Sequence, residues 1–152
     1  MNIGTAITVA WVGGATPDGA FGDPVHVHAV TLTGVDQASP IGDTGGELNA
    51  SASSIGATAG VLNVTAGDMV VYATVSGQPN DHTPASGYTE QIELDGVTNN
   101  MTTVTASKAI TLAGTEQPVA SWSTAQRLAI VTAVGLMGDS LDGIFTDVET
   151  GL

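Results

Sequence analysis

The chain contains no cysteine. That excludes a disulfide framework, a thiolate zinc site and a cysteine nucleophile. Bases are nearly absent as well. Lys108 and Arg127 stand against 15 acidic residues, for a formal net charge of −13. Nucleic acid is held through several Lys or Arg contacts to phosphate, so no nucleic-acid partner is expected, and anionic lipid is repelled for the same reason. Aromatic residues make up 4% of the chain and charged residues 11%, the latter far below the roughly 25% of an average domain. No apolar run reaches the ~18 residues that cross a bilayer, so no membrane partner is expected either. The opening residues, MNIGTAITVAWVGG, carry no basic n-region. They read as the start of a chain made in the cytoplasm without a signal peptide.

What is present is mostly Ala, Val, Ile and Leu, with Thr, Ser, Gly and Asn between them. This is the composition of β-sheet and turns. The length of 152 residues fits one domain. Strand-like segments recur between turn clusters. They are Ile3–Val12 (Ile7, Val9 and Trp11 on one face), Val25–Thr33, Glu47–Ile55, Gly60–Val64, Asp68–Ser76, Tyr88–Leu94, Asn100–Ile110, Pro118–Ser123 and Gln126–Met137. Asp68–Ser76 is the most apolar and is placed centrally. The run RLAIVTAVGLM fits a helix by spacing, but its β-branched cluster Ile130, Val131, Thr132 and Val134 favours a buried strand. A faint echo links AITVAWVGG to QPVASWSTA and HAVTLTG to AIVTAVG. The pattern predicts an all-β fold, an antiparallel two-sheet β-sandwich of jelly-roll type over residues 1–137, followed by an acidic tail or docking arm, 138–152. The expected core is Val9, Trp11, Val30, Leu32, Val71, Ala73, Val75, Ile92, Trp122, Leu128, Ile130 and Val134.

The order GVDQASPIG, AGDMVVYATVSG, TPASGYTEQIEL, a Thr-rich strand and SWSTAQRLAIVTAVGL resembles the β-sandwich domains of bacteriophage virion proteins and some bacterial surface proteins. The resemblance covers about Ala6 to Met137, with Tyr88 where those domains usually carry Trp. It implies a structural or adhesive module, and no catalytic residues. In those domains further strands usually precede the segment matching Ile3–Val12. Their absence here suggests that a neighbouring subunit completes a sheet by strand addition.

His26 and His28 point to the same side of a strand and are candidate metal ligands. A third ligand would have to come from Asp23, Asp36, Asp81 or His82. Val30 and Leu32 share the histidine side, so the pair reads as an edge or interface feature, and no metal or other cofactor is expected. The corner GVDQASPIG needs Gly34, Pro40 and Gly42 for backbone reasons. Gly138–Leu141 spells GDSL, a hydrolase nucleophile motif, but only 11 residues follow it and none is His. An Asp/Gly/Ser turn is the simpler reading, leaving Ser140 without a triad. Asp139, Asp142, Asp147 and Glu149 in the tail, with Asp36 and Asp43 at the corner, lack an EF-hand pattern and read as solvated acids. In the tail, Ile144 and Phe145 form an apolar knob suited to a neighbour's pocket. The resulting expectation is a non-enzymatic structural protein on a virion surface, a capsid decoration or cement protein. Its partners would be further copies of itself (a homo-oligomer) and other virion proteins such as the major capsid protein. The alternative is a glycan-binding module of a tail or surface fibre, with Tyr88 and the Asn99–Asn100 loop as its candidates.

Overall fold

The computed structural model describes residues 28–56, 61–95 and 101–138. Those residues are all-β, with every strand pairing antiparallel and no helix among them. The strands are β1 (Ile41–Gly56), β2 (Leu62–Val64), β3 (Met69–Ser76), β4 (His82–Thr83), β5 (Thr89–Asp95), β6 (Thr102–Ala109), β7 (Gly114–Glu116) and β8 (Val119–Gly135). The main sheet runs β1-β8-β3-β6-β5, with β4 also on β8, and β2 and β7 form a separate ribbon.

β8 organises the sheet. Its 17 residues pair with β1 along one edge, from Gly56↔Val119 to Ile41↔Gly135. Its other edge is shared. Leu128–Gly135 pairs with β3, and Ser121 and Trp122 pair with β4. Between them Asn80 stands in for backbone. Its Nδ2 donates to Thr124 O at 2.9 Å, and its Oδ1 accepts from Thr124 N at 3.2 Å and from the Ser123 hydroxyl. The two segments expected at Pro118–Ser123 and Gln126–Met137 are therefore one strand, and the ambiguous run around Ile130 is its second half. β3 lies in the middle of the order, as its apolarity predicts.

The turn before β3 shows why Gly67 and Asp68 stand together. Gly67 has φ +99°, a conformation open to glycine and costly for other residues. The Asp68 carboxylate accepts from Thr65 N at 2.7 Å and the Thr65 hydroxyl at 2.9 Å. The chain thus reverses on its own side chains before entering the sheet. At the earlier corner, Gly34 has φ +78°. Asp36 Oδ1 accepts from Ala38 N at 2.6 Å and Ser39 N at 3.0 Å. Gly42, expected to serve the backbone, instead lies inside β1, where a Cβ would meet Leu136 Cδ2 at 2.8 Å.

The core fills the side of the main sheet that faces the ribbon. Val70, Tyr72, Val104, Ala106, Trp122, Leu128, Ile130 and Val134 supply it from the sheet, Leu62 and Val64 from β2, and Ala85 and Tyr88 from the turn after β4. Trp122, Leu128, Ile130 and Val134 are buried as expected. The expectation for β3 fails by one residue. Val71, Ala73 and Val75 are only half-buried, and their neighbours Val70, Tyr72 and Thr74 are buried instead. Both sides of β3 are apolar, and the large Tyr72 fills the space the ribbon encloses. Ile92 is half-buried and Val30 is 41% exposed. Val9 and Trp11 lie outside the described residues.

Residues 28–33, expected to be the end of a strand, form no ladder. They cross the opposite side of the sheet, the outer face. Gly135 lets them come close, since a Cβ there would lie 2.7 Å from Leu32 Cδ1. Alternation reports which side chains share a side, and His28, Val30 and Leu32 do line hollows on the outer face. It does not report edge-to-edge pairing.

Candidate functional site

Four places on the described residues carry chemistry or exposed surface. The first is a buried polar cluster. His82, on β4, has a fully buried side chain. Its Nδ1 lies 2.9 Å from Glu90 Oε2 and its Nε2 3.4 Å from the Tyr72 hydroxyl. The imidazole packs against the Trp122 ring, centroids 4.9 Å apart. The Tyr72 hydroxyl also accepts from Ala85 N at 3.2 Å. Burial holds the Tyr72 phenol above its ordinary pKa. A histidine sealed in this way braces β4 against the core and meets no substrate in this conformation.

The second place is a second polar knot nearby. Lys108 reaches Glu116, lies 5.6 Å above the Tyr88 ring, and the Tyr88 hydroxyl donates to Glu116 at 3.3 Å. Burial first, then the Glu116 charge, raises the Tyr88 pKa strongly. Tyr88 is thus a core residue, 9% exposed, and not the exposed aromatic that a sugar ring stacks on.

The third place is an open acidic cleft of about 330 Å³, lined by Asn80, Asp81, Glu93, Asp95, Ser123 and Thr124 with Pro79. Partial burial, then the charges of Glu90 and Asp95, raises the Glu93 pKa. Asp95 is committed to Thr102, whose hydroxyl donates at 2.6 Å. No group of three metal-ligating side chains occurs among the described residues.

The fourth is the outer face together with the β1 edge. Three adjoining hollows of about 370, 300 and 430 Å³ run across it. They pass from Val71 and Ala133, over Ala73, Val75 and Ala129, to Val131 and Leu48. Val131 is 61% exposed, Ile41 63% and Leu48 82%. β1 ends the strand order, and among the described residues it pairs in the main sheet only with β8. Beyond that pairing, Asp43 accepts from Asn63 N and Nδ2 at 2.8 and 2.7 Å, joining β1 to β2. The other end of the sheet, β5, is different. Glu90, Glu93 and Asp95 stud its seven residues, and such charge discourages edge pairing, whereas the longer β1 carries only Asp43 and Glu47. Register shifts interrupt both strands.

Comparison with family models, with curated proteins and with solved structures returns no match.

Of the residues singled out from the sequence, His28 is placed on the outer face. Its Nδ1 lies 2.6 Å from the Thr105 hydroxyl and its Nε2 2.9 Å from that of Thr103. His82, a suggested co-ligand, sits on the opposite side of the sheet, among core residues. Asp36 holds its own corner, and Asp81 lines the cleft. His26, Asp23, Ser140, Ile144, Phe145, the tail acids and Asn99–Asn100 lie outside the described residues. The sequence reading missed the His82 cluster, the Asn80 bridge and the exposed β1 edge.

Proposed function

We propose that the protein is a non-enzymatic structural component of a phage-like virion, a capsid decoration or cement protein that packs against further copies of itself and against the capsid lattice. The observation that carries this reading is the β1 edge. A 16-residue strand with Leu48 and Ile41 exposed and no basic or proline guard offers the backbone donors and acceptors between its register shifts to a neighbouring strand. Its sheet rests on a core braced by buried polar clusters, which suits a part that bears contacts. The high negative charge keeps the remaining surface solvated. The test is the native mass of the pure protein, alone and mixed with purified capsids. Association that Leu48→Lys together with Ala50→Lys abolishes, with the far-ultraviolet spectrum unchanged, supports the reading. A chain that stays monomeric and binds no particle overturns it.

The acidic cleft supports a second reading, a glycan-binding module of a tail or surface fibre. Carboxylates, an amide and hydroxyls converge there, as sugar sites require, although no aromatic side chain lines it. Hits on a glycan array that Asn80→Ala removes would put this reading first.

A further inference from the structure

Along β3 and β8 the outer face is apolar where an open face of an antiparallel sheet would be polar, while β6 presents Thr103, Thr105 and Ser107 there. On β3 the residues pointing there are Met69, Val71, Ala73 and Val75, with no charged or hydroxyl side chain among them. The paired positions on β8 are Gly135, Ala133, Val131 and Ala129. A strand apolar on both sides is a strand covered on both sides. The inner cover is the β2–β7 ribbon. The outer cover among the described residues is only the short crossing from His28 to Val35, and it leaves the hollow over Ala73, Val75 and Ala129 open.

The chain itself brings the missing cover to this place. His28, the first described residue, stands on the outer face with both ring nitrogens held by Thr103 and Thr105. The 27 residues before it therefore start from this surface. They hold one segment with the right pattern: Ile3–Val12, with Ile7, Val9 and Trp11 on a single side. Ten extended residues reach about 33 Å, more than the paired length of β3, which is about 26 Å for eight residues. The Gly-, Pro- and Asp-rich stretch from Gly13 to Pro24 is long enough to let that segment double back. Size agrees too. Ala73 and Ala129 leave the hollow, and Trp11 is the bulkiest side chain available to fill it.

We propose that Ile3–Val12 of the same chain lies across the outer face, setting Ile7, Val9 and Trp11 over Ala73, Val75, Ala129 and Val131 to make the outer layer of the sandwich. This cover is internal to one molecule, whereas the β1 edge faces neighbours, so the two readings fail separately. Trp11 is the reporter. Trp122 is the only other tryptophan, and its Nε1 has no hydrogen-bond partner among the described residues, so Trp122→Phe breaks no bond. In that full-length variant Trp11 should emit to the blue of a hydrated indole and be quenched by iodide several-fold less than a free tryptophan amide. Adding Val131→Asp should move the emission to the red and restore quenching. If Trp122→Phe folds poorly, the difference spectrum between the natural chain and Trp11→Phe isolates the same signal. A Trp11 that emits like a hydrated indole and ignores Val131→Asp overturns the proposal. Shielding that vanishes on dilution, together with a dimeric mass, overturns it in favour of a segment supplied by a second copy.

Discussion

The two faces of the main sheet are made by the same strands and differ in almost everything else. The inner face carries Tyr72, Trp122, Leu128 and Ile130, sealed by the ribbon and by the turn at Ala85 and Tyr88. Polar atoms brought in there are mostly bonded, as with His82 to Glu90 and Tyr72. The outer face is Ala, Val, Gly and Thr, partly covered by residues 28–35. The difference is one of side-chain volume more than polarity. Large side chains mark the side where a second layer already sits, and small ones mark a surface shaped to receive one.

Substitutions on one strand can sharpen this contrast. Tyr72→Ala should give the largest loss, about 3–5 kcal/mol for a large buried aromatic, read as a lower midpoint in chemical denaturation. Tyr72→Phe keeps the ring but strips the acceptor from Ala85 N, and should cost about 1–3 kcal/mol. Val71→Ala, one residue away and facing outward, should cost about 1.5 kcal/mol if that face is covered, from about 0.8 kcal/mol per buried methylene. A cost near zero would mean that it meets water.

Alkali should discriminate as well. Tyr72 and Tyr88 have phenol pKa values raised above 10.0 by burial. Their protonated forms are favoured by folding, so their contribution is fully present below pH 10 and is lost as pH rises above it. Tyrosinate absorbance should therefore appear together with unfolding, and Tyr88→Phe should weaken that coupling. If phenolate forms freely in the folded protein, the inner face is not sealed. The smallest effect belongs to the acidic cleft. Glu93 has a raised pKa, so its charge opposes folding at neutral pH. Glu93→Gln should add less than about 1 kcal/mol near pH 7, as expected for an exposed charge. The gain should fade as acid protonates the natural Glu93.

Alternation and turn chemistry made β3, β5, β6 and β8 legible in the sequence, along with the Gly67–Asp68 turn and the buried half of β8. Sidedness on β3 was not legible, because MVVYATVS is apolar in both registers and only the ribbon's position decides between them. The crossing at His28–Leu32 looked like a strand because its side chains alternate toward a surface just as a strand's do. The His82 cluster was invisible for a different reason. It gathers Tyr72, Glu90 and Trp122 from separate strands, and the NDHTP segment around it reads only as a turn. The exposed β1 edge needed the strand order, which no local pattern contains.

The pairing of β1 with β8 has a kinetic consequence. Ile41 meets Gly135 and Gly56 meets Val119, so the longest seam joins the two ends of the described chain. Seams between distant segments wait for loop closure, and folds dominated by them form in roughly milliseconds to seconds. The hairpin-like neighbours β5 and β6 have far less chain to close. Stopped-flow refolding with pulsed hydrogen exchange should find β1 amides protected last. Until then both β1 and the matching edge of β8 stand unpaired, so crowded refolding should lose material to aggregation chiefly through this seam.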